Sequence, residues 1–265
     1  WSSDVCSSDL GGVLEMTLVS TAAAASVVKE FGVFDLPFLF TDFKEVDLVL
    51  DGPVGKRLLE RLSEKNLVGL CYFENGFRHV TNSRRPITKA EDLKGLKIRT
   101  IQNPVFIDIF NTLGANATPM PFTEVFSALE SKAIDGQETP YSNIHGNKFY
   151  EVTKYISNSG HIYGAAVVLA GKKFWDSLNA SERKLMQDSC NTARDFERQF
   201  NRAEDPKLLE QIKAKGGIYT EMAPAERTRM REMLKPVYDK YAANLGDEVV
   251  KQTLGELAKH RASAK

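Results

Sequence analysis

The sequence predicts an α/β protein built as two lobes with mostly parallel sheets. Short extended runs alternate with helical ones over most of the chain, which is the pattern of α/β layers. A helical stretch beginning at Asn179 continues past Lys207, far beyond the mean of about 11 to 12 residues, and so is expected to serve more than one lobe. With 265 residues, 42% of them apolar and 26% charged, the chain can fill one large or two medium cores.

Leu14, Met16 and Leu18 alternate with Glu15, Thr17 and Val19, the two-residue period of a strand that ends at Ser20. Residues 33–40, VFDLPFLF, are too apolar for a surface loop, and Pro37 excludes a central strand, so they read as a packed connector. Helices are expected over 42–50 and 54–65, separated by Asp51-Gly52-Pro53. Residues 67–73 form an apolar run of strand length. Glu74-Asn75-Gly76 breaks it and residues 77–82 resume, either as one strand crossing between two bodies or as a hairpin.

Thr88 to Glu91 has the form of a capping box, so a short helix is expected before a strand over 96–100. Asn103-Pro104 opens a helix bearing Val105, Ile109 and Leu113 on one face, closed by Gly114. Residues 115–120 read as extended, 121–132 as a helix, and 133–135 as a short strand running into Gly136-Gln137-Glu138. Strands are expected over 154–157 and 161–170. Asn179 with Glu182 starts the long helix, which Pro206 interrupts and Gly216-Gly217 ends. A strand over 218–220 and helices over 224–244 and 248–260 complete the chain.

Thirty-five basic and 35 acidic residues leave no net charge, so no nucleic-acid or anionic-membrane partner is expected and any anion specificity is local. No run of about 18 apolar residues is present, so no membrane insertion is expected. Cys6, Cys71 and Cys190 are an odd, widely spaced set without CxxC, which argues against zinc or a disulfide framework. Cys71 and Cys190 read as small buried hydrophobes. Residues 1–10, WSSDVCSSDL, have neither the basic nor the apolar region of a signal peptide and read as a non-native scar.

The signatures GxSxG, HExxH, GxxxxGK[ST] and GxGxxG are all missing from the sequence, and no cofactor or metal is expected. His79, His145, His161 and His260 are scattered and read as surface or satisfied histidines. Arg99 stands at the end of a strand, where open α/β sheets bind ligands, and a guanidinium grips a carboxylate through two parallel hydrogen bonds. Its alternation with Leu96 and Ile98 also fits a solvated strand face. Arg78 is either a second cation over the same anion or an ion-pair partner of Glu74. Phe122 is a core aromatic or a surface under an apolar part of a ligand. Glu138 is a buried carboxylate orienting an arginine, or is exposed.

LKGLKIRT, GANATPMPFTEVFSALESKAIDGQETP and KFYEVTKYISNSGHIYGAAVVLAGKKFW, in that order, resemble the DctP-like solute-binding proteins of tripartite ATP-independent periplasmic (TRAP) transporters. The resemblance implies a two-lobed periplasmic binding protein-like fold, with crossing strands and a long lobe-spanning helix. It places residues 11–76 with 163–200 in lobe I and 77–162 with 201–265 in lobe II. It also implies that the family's opening β-α-β unit of lobe I is missing, so that residues 11–265 alone form an incomplete site.

By resemblance Arg99 pairs with a substrate carboxylate, with Arg78 as the second basic residue and Phe122 as the cleft aromatic. Thr139 stands where the family commonly carries asparagine, and Ser20 ends a ligand-facing strand. Asn103, Glu138 and Glu74 complete the expected binding set. The implied function is a periplasmic, monomeric, non-enzymatic receptor that delivers a small organic acid to TRAP membrane subunits. An enzyme acting on a carboxylate and a ligand-sensing domain are the alternatives.

Overall fold

The computed structural model describes residues 14–263; the expected scar at 1–10, and Cys6 within it, lie outside them. Strand β1 (Met16–Ser20) pairs antiparallel with β8 (Tyr163–Gly171), which pairs antiparallel with β2 (Leu67–Phe77), giving a first sheet ordered β1-β8-β2. The second sheet is ordered β5-β4-β6-β3-β7-β9, from β3 (His79–Asn82), β4 (Lys97–Thr100), β5 (Asn116–Pro119), β6 (Gly136–Thr139), β7 (Tyr155–Asn158) and β9 (Ile218–Glu221). Among the described pairings four are antiparallel and three parallel, so the expectation of mostly parallel sheets is corrected. The antiparallel pairs come from strands that pass between the sheets and from β1, which lies beside one of them.

Glu74-Asn75-Gly76 neither breaks β2 nor turns a hairpin. The segment forms a bulge, with Glu74 opposite Ala165 and Gly76 opposite Gly164, and Gly76 takes a positive φ of 102°. The strand continues, Arg78 N–H donating to Ile162 O at 2.9 Å, and crosses into the second sheet. The chain returns through residues 158–163.

Several helix signals work as expected. Asn103 caps the helix Pro104–Thr112, and Asn179 with Glu182 forms a reciprocal capping box at the start of the 35-residue helix Ala180–Ala214. The Thr88 motif works differently: Asp92, not Glu91, accepts from Thr88 and Lys89 N–H, while Glu91 pairs with Arg229. The expected strand at 133–135 lies further on, at Gly136–Thr139. The single helix expected over 224–244 is two, Pro224–Met233 and Lys235–Leu245, because Pro236 has no N–H to continue the ladder.

A core of Phe31, Phe34, Val46, Leu58, Tyr72 and Val167 underlies the first sheet, and Leu245, Val249, Val250 and Leu257 belong to it. Arg261 in the last helix (Asp247–Ser263) also donates to Glu45 and to Leu39 O. The expected division placed all of 201–265 in the second lobe; Leu245, Val249, Val250 and Leu257 pack instead into the core under the first sheet. Two further cores, one around Ile98, Phe106 and Met230 and one around Val125, Phe149 and Ile212, cover the second sheet.

The long helix is fastened to both bodies. Gln187 donates to Leu70 O, Arg198 to Asp47, Asp51 and Tyr72 O, and Arg202 to Asp47 and Glu74, all on the first-sheet side. Beyond Pro206, Ile212 enters a second-sheet core. Cys71 and Cys190 form a disulfide joining β2 to this helix across 119 residues. The expectation of two free buried thiols is therefore corrected: a strand and a helix far apart in sequence are packed face to face.

Replacing both Cys71 and Cys190 by serine is expected to lower the unfolding free energy in urea by about 2–4 kcal/mol. A non-reducing peptide map should contain the peptide linking the two; its absence would contradict the pairing.

Candidate functional site

Arg99 is the next-to-last residue of β4, its side chain turned inward, 2% exposed. Its Nε and Nη2 both donate to Met120 O, at 3.0 and 2.8 Å, which fixes the plane of the guanidinium. The Phe122 ring lies beside it, 5.7 Å from guanidinium carbon to ring centroid. Burial draws its pKa down to about 10, partly offset by Glu138, so it remains a cation at neutral pH. Among the described residues no carboxylate pairs with it. Of five N–H donors two are used, leaving three at the Nη1–Nη2 end.

Arg78 is also buried but is neutralised. Its Nε and Nη2 grip the Glu138 carboxylate at 2.5 and 2.7 Å, and Nη2 also reaches Glu138 O at 2.8 Å. The antiparallel register that sets Val80 opposite Glu138 places both residues on one face, since Arg78 and Val80 share a parity. His161 Nε2 lies 3.2 Å from Glu138 Oε2, and its Nδ1 meets Ser159 Oγ at 2.9 Å. Burial alone would raise the Glu138 pKa, but the Arg78 charge and the hydrogen bonds from His161 and Arg78 outweigh it and hold it at about 2. Glu138 therefore orients Arg78, as one of the two expected readings has it, with Oε2 shared between Arg78 and His161 and Oε1 accepting from Arg78. The alternative pairing of Arg78 with Glu74 is overturned.

Glu74 lies at the crossing, where its Oε2 accepts from Arg202 and from the Tyr163 hydroxyl. Asn103 is similarly committed. Its Oδ1 caps Val105 N–H, and its Nδ2 donates to Ala22 O and Asp35 Oδ2, both at 3.3 Å. It joins the helix after β4 to the segment after β1, a tie between the lobes rather than a free ligand group. Ser20 is half-buried at the end of β1, its Oγ accepting from Ala23 N–H. Thr139 is buried at the end of β6, its Oγ1 accepting from Asn143. Phe122 is half-buried and packs edge-on against Phe149.

Asp35 was not among the expected residues. It is buried beside the Arg78–Glu138 pair, and burial pushes its pKa up to about 7 against the opposing pull of Arg78 and Asn103. Met120 O, which sets the Arg99 plane, was also missed; a backbone carbonyl carries no signature in sequence. The structure thus gathers Arg99, Arg78, Glu138, Asn103 and Asp35 around one interlobe locus.

Glu138→Gln should lower stability by roughly 3–5 kcal/mol near neutral pH, because it leaves the Arg78 charge buried and uncompensated. The Glu138 pKa is depressed on folding, so its contribution is full above the ordinary carboxylate range and lost as pH falls toward about 2. The difference between the two proteins in urea should therefore shrink below pH 4.5. For Asp35 the sign is opposite: its folded pKa is raised, so Asp35→Asn should gain stability relative to the parent as pH rises from 4 toward 8.

The sequence matches the family model of DctP, the bacterial extracellular solute-binding proteins of family 7, over residues 5–244. The sugar acid binding protein DctPAm from Advenella mimigardefordensis, solved with galactonate, superposes with a TM-score of 0.92 at 45% identity, covering 95% of this chain and 81% of that one. A TRAP periplasmic solute-binding protein from Shewanella oneidensis with bound succinate gives 0.89 at 32% identity, covering 94% and 82%. The C4-dicarboxylate-binding periplasmic protein DctP of Rhodobacter capsulatus is 34% identical over 241 residues, covering 90% of this chain and 72% of its own. Two sheets joined by crossing strands, a helix fastened to both and the match along nearly all of the chain agree: this protein belongs to the DctP family of bacterial extracellular solute-binding proteins.

Proposed function

We propose that the protein is the extracytoplasmic receptor of a TRAP transporter, holding a small organic acid between its lobes for delivery to the membrane subunits. The observation that carries this reading is Arg99, a buried cation held rigidly by Met120 O with no carboxylate partner among the described residues. A carboxylate docking end-on across Nη1 and Nη2 supplies the missing counter-charge through charge-assisted hydrogen bonds. Arg78 keeps the two N–H groups of Nη1 and serves as the second donor. Phe122 offers an apolar surface next to the carboxylate, and Ser20, Thr139 and Asp35 are further polar groups assigned to the site in this reading.

Galactonate, succinate and C4-dicarboxylates, the ligands in the names of similar proteins, are all small acids. Arg99 accounts for what they share. The Cys71–Cys190 disulfide supports an oxidising compartment such as the periplasm. The balanced charge supports the reading without a nucleic-acid partner, and the monomeric state is carried over from the family resemblance; both remain part of this proposal.

A thermal-shift screen of organic acids on the full-length protein identifies the ligand class. Arg99→Ala should then weaken the best acid by about 2–5 kcal/mol, enough to abolish the shift, because one partner of a buried charge pair is removed. Arg99→Lys should restore little, since an ammonium cannot make the bidentate contact. Normal binding by Arg99→Ala, measured by calorimetry, would overturn the assignment.

A further inference from the structure

A cavity of about 420 Å³ lies beside the crossing strands, and none of its lining residues belongs to the Arg99 site. In the second sheet Arg99 and Thr139 stand in β4 and β6, on one side of β3. The cavity lies toward the other side, where Asn158 ends β7, Gly160 follows it, and Arg227, Thr228 and Arg231 follow β9. Its volume falls within the range of about 300–1,000 Å³ typical of small-molecule sites.

The walls are aromatic. Phe38, Phe40, Phe43 and Phe77 line the cavity, and the Phe43 and Phe77 rings meet at a tilt of 56° with 5.3 Å between centroids. They present ring faces and edges suited to another flat ring.

Its polar groups are unevenly spent. His79 is 5% exposed and stacks on Tyr141. Its Nδ1 accepts from Gly160 N–H at 3.3 Å, which places the proton on Nε2, and Nε2 has no partner among the described residues. Burial, with the neighbouring His161, Arg227 and Arg78 charges, holds its pKa at about 3, so the ring is neutral. Arg227 spends Nε and Nη2 on Asn158 O and Glu221. Arg231 is exposed and makes no ion pair among the described residues. At the other end Asp205 makes no hydrogen bond or ion pair among them; burial, and after it the Glu74 charge, pushes its carboxyl up to about 7.

We propose that this cavity is a second ligand site, for a small aromatic monocarboxylate carrying a hydrogen-bond donor at its far end. The carboxylate meets Arg227 and Arg231, the ring lies among the four phenylalanines, the His79 Nε2–H points at the ligand, and the far donor meets Asp205. Above about pH 7 Asp205 is an anion that accepts the far donor and repels a second carboxylate at that end. Because the walls come from both lobes and both crossing segments, a ligand here holds a particular interlobe angle, and its binding is linked reciprocally to that of the acid at Arg99.

The test is calorimetry and ligand-observed NMR with 4-hydroxyphenylacetate as probe and terephthalate as counter-probe, on the full-length protein and on Arg99→Ala, Arg231→Ala and Thr228→Phe. Arg99→Ala separates this site from the cleft. Binding of the probe should survive in Arg99→Ala, and should weaken by roughly tenfold or more in Arg231→Ala, as expected for loss of one charged partner. It should disappear in Thr228→Phe, which fills the cavity, and terephthalate should bind more weakly than the probe. A crystal soaked with the probe should show it against Phe77 and His79. Loss of binding in Arg99→Ala with retention in Arg231→Ala would place the probe in the cleft and overturn the proposal. So would the absence of saturable binding at millimolar probe.

Discussion

A guanidinium taken out of water without a counter-ion is among the costlier arrangements in a protein, and the site depends on one. Arg78 and Arg99 share a locus and a depth, yet only Arg78 has a carboxylate, Glu138, which is further held by His161. The asymmetry leaves one net positive charge, on Arg99, aimed by a single backbone carbonyl. A second acid beside Arg99 would quench that charge and the attraction for a ligand carboxylate with it. Asp35, a further carboxyl near the Arg78–Glu138 pair, is instead driven toward its neutral form by burial.

Such a charge is tolerable only if the surrounding scaffold is rigid within each lobe and permissive between them. The helix Ala180–Ala214 combines the two. Its first half is bound to the first sheet by the Cys71–Cys190 disulfide and by Arg198 and Arg202, which gather Asp47, Asp51 and Glu74. Its last turns pack into the second lobe through Ile212. Pro206 falls between, where the carbonyl of Arg202 loses its helical N–H partner. The bulge at Glu74–Gly76 and the return segment at 158–163 are the other places where the chain changes lobe, so the hinge elements lie side by side. Asn103, donating to Ala22 O and Asp35, ties the lobes together across the cleft.

What could be read from the sequence divides along the range of the interaction. The long helix, its capping box and the strand bearing Arg99 depend on residues within a few positions of one another, and the local pattern displayed them. Only the family resemblance led to the expectation that Arg99 faces a ligand; alternation alone fitted a solvated face as well. Pairings set by register across the fold were hidden. Arg78 meets Glu138 rather than Glu74 because β3 lies antiparallel to β6, and the disulfide exists because β2 packs under a helix far along the chain. Asp35 sits in an apolar run that reads as a connector, and only the tertiary fold brings it to Asn103. The C-terminal helix carried no mark of which lobe it would cover.

The most direct measurement is a crystal structure of the full-length protein with the acid that stabilises it best. A carboxylate oxygen pair within about 3 Å of Arg99 Nη1 and Nη2, with Nε still on Met120 O and Arg78 still on Glu138, is expected. An acid bound between the lobes with its carboxylate away from Arg99, or Arg99 turned onto a protein carboxylate in the complex, would contradict the assignment of Arg99 as the anchor.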